Sequence, residues 1–347
     1  MRAFYHPEQA THDPLQSMRY GKIIPAKDLP VRTERLLGAL NKHGISPETP
    51  AAHGKAAALT VHTPTYVTFL ETIWERWSLL PNHGPEVWPN YFPYWSGRPE
   101  EVSRPPCPAE SVVGQVGWYL GDLSAPMGPH TWLSSLRSCE TAVSAAAAIV
   151  AGDGTAYALC RPSGHHARTD RAAGLCFLNN TAIAAHHLRQ RFAKIAVLDI
   201  DVHHGDGTQQ IFYNRDDVLT VSIHANPAKA YPFFTGYAHE TGHGSGAGFN
   251  LNLPLEIGSD GSVLTASLET ALERIKTFEA EALVVAVGFD AHRNDPVGLL
   301  KLDAADFGVI ARKVRALGLP TLAVQEGGYA IDAIGDCLDA FIGGLGA

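Results

Sequence analysis

The chain has 347 residues, 45% of them hydrophobic and 18% charged, with a formal net charge of −8 at pH 7. These are globular values, and the length allows one large buried core or two small ones. The acidic balance argues against nucleic acid as the main partner, because phosphate binding wants a basic face. No apolar run approaches a membrane span.

Five cysteines, Cys107, Cys139, Cys160, Cys176 and Cys337, are thinly spread with no C-x-x-C pair. The last four sit among apolar or small residues and read as buried, reduced thiols. Residues 1–7 carry no apolar signal core, so a soluble, cytoplasmic protein is expected. The negative charge suits a small cationic substrate.

Along the chain, the stretch from about Leu79 to Pro129 stands apart. It is rich in proline and aromatics, among them Trp88, Tyr91, Phe92, Tyr94 and Trp95. A loop with this much apolar surface must pack on its own body, a substrate channel or a second subunit. We expect a single domain over 1–347, with this insertion at about 79–129 rimming a pocket within a homodimer. Further on, helices are predicted over Trp132–Ala151, Phe177–Arg191, Ser262–Phe278, Asp303–Leu317 and Ile331–Leu345. Strands are predicted over Thr155–Cys160, Lys194–Ile200, Val218–His224, Ala282–Asp290 and Thr321–Gln325. Leu264, Leu268, Leu272 and Ile275 fall on one helical face. This alternation predicts an α/β fold, a parallel sheet with helices on both faces.

Four polar clusters begin where predicted strands run out. Ligands collect at the carboxyl ends of strands in such sheets. The densest is Asp199-Ile-Asp201-Val-His203-His204-Gly-Asp206. Residues two apart on a strand point the same way, so Asp201 and His203 can face one ion, with Asp199 further back. Carboxylate and imidazole together suit Zn²⁺, and Fe²⁺ accepts the same donors. Asp290, at the end of the predicted strand Ala282–Asp290, would be a third ligand and leave an open position. His165 and His166 follow Thr155–Cys160, and Asp199 and Asp206 are candidate partners for their far ring nitrogens. Gly327 and Gly328 permit a tight turn that can aim Tyr329 across the pocket.

The ordered set Arg161-Pro-Ser-Gly-His-His166, Gly174-Leu-Cys-Phe-Leu-Asn-Asn180, Asp199 through Thr208, Gly288-Phe-Asp-Ala-His292 and Glu326-Gly-Gly-Tyr329 resembles the zinc-dependent histone deacetylase superfamily, from about residue 115 to the C-terminus. Tyr231-Pro-Phe-Phe234, the Glu326 motif and the insertion before Gly114 make it most similar to the bacterial acetylpolyamine amidohydrolases. The resemblance implies an arginase/deacetylase fold with an eight-stranded parallel sheet. It implies zinc on Asp201, His203 and Asp290. It implies His166, paired with Asp206, as principal base and acid, and His165 as the second histidine, paired with Asp199. Tyr329 would donate to the substrate carbonyl. A structural potassium would use Asp199, Asp201, His203 and Ser222. The implied tunnel walls are Gly174, Leu175, Tyr231 and Phe233, and Asp122 lies near the place of a rim carboxylate that orients the substrate. Leu175 stands where the family usually has an aromatic, and Ser163 where it often has proline or glycine. The implied reaction is removal of acetyl or another short acyl group from an amine. A protein acetyl-lysine deacetylase, a binuclear manganese hydrolase of the arginase type and a non-catalytic acyl-amine binder stay open as alternatives. The manganese reading lacks a second carboxylate after Asp290, where Ala291-His292 stand.

Overall fold

The computed structural model describes residues 1–93 and 104–346. The predicted insertion residues Tyr94 and Trp95 lie outside them. In chain order the strands are β1 (Arg2–Phe4), β2 (Gln16–Arg19), β3 (Lys22–Pro25), β4 (Thr155–Ala158), β5 (Ile195–Asp199), β6 (Val218–Ala225), β7 (Asn250–Leu255), β8 (Ala282–Val287) and β9 (Thr321–Gln325). The α-helices are α1 (Val31–Lys42), α2 (Lys55–Ala58), α3 (Pro64–Ser78), α4 (Val112–Tyr119), α5 (Thr131–Ala151), α6 (Asn180–Leu188), α7 (Asp206–Phe212), α8 (Gly261–Phe278), α9 (Ala304–Arg315) and α10 (Ile334–Leu345).

Seven strands form one parallel sheet in the order β1-β4-β9-β8-β5-β6-β7, and β2 and β3 form a separate antiparallel hairpin. The parallel α/β architecture is as predicted, but the expected eighth strand is not formed among the described residues. The segment at Lys301 and Leu302 makes only single-residue bridges, to Asp260 and His292, too short to extend a ladder.

Strand alternation divides the core. Val197, Val284, Leu322 and Val324 face one side, with Phe69 of α3, Ala142 of α5 and Ile183 of α6. Leu198, Leu283, Val285 and Ala323 face the other, with Leu40 of α1, Leu268 of α8, Phe307 of α9 and Phe341 of α10. The helices start where side chains can satisfy free N–H groups. Asp260 Oδ1 accepts from the N–H of Ser262 at 3.0 Å, Asn179 Oδ1 from that of Ala182 at 2.8 Å, and Asp303 and Asp306 form a capping box.

The consequence for function lies in strand order. The four polar clusters leave β4, β9, β8 and β5, which are four consecutive neighbours at the middle of the sheet. Residues far apart in sequence therefore converge on one point.

Candidate active site

At the end of β5 the chain keeps its alternation. Asp199, Asp201 and His203 turn toward a cavity of about 400 Å³ or stand just behind it, and Asp201, His203 and Asp290 line it. His204 faces the other way, buried 4.6 Å from the His224 ring. One ligand atom from each of Asp201, His203 and Asp290 lies within 4.8 Å of the others. Asp201 and Asp290 are almost fully buried. The backbone holds them: the N–H of Gly327 donates to Asp201 Oδ2 at 2.9 Å, and that of Val202 to Asp290 Oδ1 at 2.9 Å. A Cβ at Gly288 or Gly327 would run into the Asp201 carboxylate.

Two buried carboxylates at one point demand a cation. Burial and the Asp201 charge push the Asp290 carboxyl up to about 7. Burial works against a charged His203, but hydrogen bonding to Asp201 and Asp290 outweighs it and pushes the imidazole up to about 10. Its Nδ1 sits 3.3 Å from Asp201 and 3.1 Å from Asp290. A divalent ion would meet the same demand and leave His203 neutral, so the oxygen-nitrogen-oxygen set fits such an ion.

The two histidines after β4 have separate partners. His165 Nδ1 lies 2.9 Å from Asp199 Oδ2, and His166 Nδ1 lies 2.8 Å from Asp206 Oδ1. Arg168 holds the other oxygen of Asp206 at 2.8 Å. The rings stand 4.0 Å apart. Their surroundings push them in opposite directions. Burial opposes a charged His165, but Asp201 and Asp199 outweigh it and raise it well above the ordinary range. Burial, with the neighbouring His165 charge, lowers His166 to about 4. His166 is then a neutral imidazole whose Nδ1–H faces Asp206 and whose Nε2 is a free base.

Tyr329 lines the same cavity. Its N–H donates to Asp295 Oδ2 at 2.6 Å, and the Arg32 guanidinium lies 4.7 Å from its ring centre. Arg32 also donates to the carbonyls of Gly328 at 2.5 Å and Glu326 at 2.9 Å, so it grips the turn that carries the tyrosine. Asp28 bridges Arg32 at 2.5 Å and Arg161 at 2.9 Å. Glu326 reaches back to the histidine loop. Its Oε2 accepts from the N–H groups of Gly164 and His165, at 2.6 and 3.1 Å, and its Oε1 from Thr181 at 2.7 Å. Glu326 also lies close to His165 and Cys176, but its oxygens are spent as this brace. Asp28, Arg32, Asp295 and the brace were not assigned roles from sequence. The acid and base four apart at Asp28 and Arg32 were the available signal.

The predicted walls also meet. Gly174, Leu175, Tyr231 and Phe233 line the cavity, and the Tyr231 ring stands edge-on to His166 with centroids 5.0 Å apart. A Cβ at Gly174 would strike the His166 ring. Leu175 and Phe233 hold left-handed backbone, with φ of 67° and 65°, which is uncommon for side chains of their size. Asp122 joins the two walls. Its Oδ2 accepts from the Tyr231 hydroxyl at 2.7 Å and the Gly174 N–H at 3.1 Å, while Oδ1 accepts from the N–H and hydroxyl of Ser124. Ser222 sits beside Asp199 in the β5–β6 register, its hydroxyl 2.8 Å from His224 Nδ1.

The comparisons agree with this geometry. The histone deacetylase domain matches residues 27–345. The chain is 41% identical over 348 residues to acetylpolyamine amidohydrolase of Burkholderia pseudomallei (strain 1710b), covering 100% of this chain and 99% of the relative. It is 39% identical to acetylpolyamine amidohydrolase of Mycoplana ramosa, covering 96% of each. A crystal structure of acetylpolyamine aminohydrolase from Burkholderia pseudomallei superposes with a TM-score of 0.95 at 40% identity, over 100% of this chain and 99% of that one. With the match spanning nearly its whole length, the chain belongs to the histone deacetylase domain family.

Proposed function

We propose that this protein is a metal-dependent amidohydrolase that removes acetyl and other short acyl groups from amines, with acetylpolyamines as substrates. The carrying observation is that two buried histidines, each on its own carboxylate, stand beside a three-residue ion cluster. The names of the relatives, acetylpolyamine amidohydrolase in both cases, support the amine class.

Asp201, His203 and Asp290 would hold the ion, Zn²⁺ or Fe²⁺. A divalent ion there supplies Lewis acidity to an amide carbonyl and to water. The neutral His166 takes the attacking water's proton at Nε2, while Asp206 holds its ring in place. The same nitrogen then returns the proton to the leaving amine. The Tyr329 hydroxyl donates to the developing oxyanion. His165, held by Asp199 at 2.9 Å, stands beside this centre as the second histidine. The walls at Gly174, Leu175, Tyr231 and Phe233 admit a slim chain and exclude water. A structural potassium would sit by Asp199, Asp201, His203 and Ser222, and the β5–β6 register puts Ser222 beside Asp199.

We also propose a homodimer. Phe92, 46% exposed, lines a second cavity together with Phe233 and Phe234, 48% and 82% exposed, and leaves apolar surface there for a partner to cover. No helix among the described residues is long and apolar enough to cross a membrane. The test is a panel of acylated amines ranked by kcat/KM, run with metal analysis and solution mass. Turnover of acetylated diamines with one catalytic ion per chain is expected. Full activity in verified metal-free protein, or no turnover of any acetyl amide by metal-loaded protein, would overturn the reading.

A further inference from the structure

Apart from the ion cluster's Asp201 and Asp290, no carboxylate lines the reaction cavity among the described residues; Arg19, Lys27 and Lys229 do. Lys229 is neutralised by Glu256, its Nζ 2.6 Å from Oε2. Arg19 donates to the Pro296 carbonyl at 2.9 Å and lies over the Tyr20 ring, with no ion-pair partner among the described residues. Lys27 is half-buried, and its ammonium has neither hydrogen bond nor ion pair among the described residues. Asp122 does not line this cavity: its oxygens accept from Tyr231, Gly174 and Ser124, which hold the carboxylate behind the wall.

Among the described residues the cavity thus joins a slim passage walled by Leu175, Tyr231 and Phe233 to a rim that carries Arg19 and Lys27. A polar group in a half-buried place gains by meeting an opposite charge. We infer that the site takes a second substrate class, N-acylated amines whose far end is a carboxylate, with Lys27 receiving that carboxylate and Arg19 adding to the field. This rests on the deacetylase reading of the same site. The reaction is the same hydrolysis: water adds to the acyl carbon, the carbon–nitrogen bond breaks, and the nitrogen leaves with a proton, giving a short carboxylate and an amino acid. Lys27 touches the far end of the substrate and takes no part in the bond changes. It sets specificity.

The probes are acetamidohexanoate and N-acetylcadaverine, which carry the same number of methylenes and opposite charges. Full-length, metal-loaded protein is used throughout. In Lys27→Met, the ratio of kcat/KM for the acid over the amine should fall about three- to fivefold, through KM of the acid, as for a partly exposed charge pair. Lys27→Arg should keep the ratio. In the unaltered protein the ratio should decline as salt is added, a measurement that decides the matter if Lys27→Met does not fold. An unchanged ratio in folded Lys27→Met, or one indifferent to salt, overturns the inference. Turnover of N-acetylcadaverine with none of acetamidohexanoate overturns it too and leaves the deacetylase reading standing. Turnover of neither, nor of a fluorogenic acetyl-lysine amide, would sink that reading itself.

Discussion

Replacing Asp28 by asparagine keeps the shape of the side chain and removes its charge. Asp28 and Arg32 are each 1% exposed and Arg161 is 2% exposed. The asparagine oxygen can still accept from Arg32 and Arg161, where Asp28 Oδ1 now does so at 2.5 and 2.9 Å. The loss is therefore the counter-charge of two buried guanidinium groups. Removing one partner of a buried ion pair costs about 3–5 kcal/mol, and with two cations left we expect about 4 kcal/mol. Arg32 also grips the carbonyls of Glu326 and Gly328, so kcat should fall while metal content holds. Urea unfolding followed by circular dichroism at neutral pH measures the first effect, and steady-state kinetics with metal analysis the second. The pH dependence has a definite sign. Burial alone would raise the Asp28 carboxyl, but Arg161 and Arg32 hold it well below the usual carboxylate range. Its stabilisation is complete above its unfolded pKa of about 3.9 and is lost as pH falls toward the folded value. The gap between the two proteins should narrow only in strong acid. A loss below about 1 kcal/mol at neutral pH would refute the claim that Asp28 neutralises this cluster.

Tyr329→Phe removes one hydroxyl and should lower kcat about a hundredfold or more with the ion retained, as for an oxyanion donor; a near-normal kcat would count against that role. His166→Ala should be at least as damaging, and activity within a few-fold of normal would exclude it as the principal base. Asp290→Ala should lose the ion by metal analysis and thereby all activity; a full ion complement would remove Asp290 from the ligand set. Tyr231→Phe breaks the bond to Asp122, worth about 0.5–1.5 kcal/mol. It should relax the tunnel, raising kcat/KM for branched acyl amines relative to straight ones, and an unchanged ratio would show that the hydroxyl does not set the gauge.

Much of the site could be read in the sequence because each cluster follows a short apolar run, and strand alternation then says which side chains share a face. Asp201 and His203 share one while His204 turns away, as period two requires. The pairings of His165 with Asp199 and His166 with Asp206 rested on the resemblance and appear as hydrogen bonds of 2.9 and 2.8 Å. The edges of the sheet were less legible. β1 is three residues long, and β7 interrupts its leucines with Asn250, Asn252 and Pro254, a pattern tolerated at a sheet edge. Nor could the chain before residue 80 reveal that Arg32 reaches the Tyr329 turn. That contact joins positions 296 apart, between Arg32 and Gly328, and no local periodicity encodes it.

The hydrogen bonds of Asp122 have a consequence for how such an enzyme can diversify. The proposed ion ligands and the two histidines follow the four central strands, whereas the proposed tunnel walls at Gly174 and Tyr231 are joined by a carboxylate from the segment after α4, outside the sheet. Reactivity and selectivity thus have different mechanical supports. Changes around residues 120–124 can widen, narrow or recharge the entrance while the strands that carry the chemistry keep their register. A lineage could exchange one acylated amine for another by altering a surface segment, with no intermediate that has lost the ability to cleave an amide.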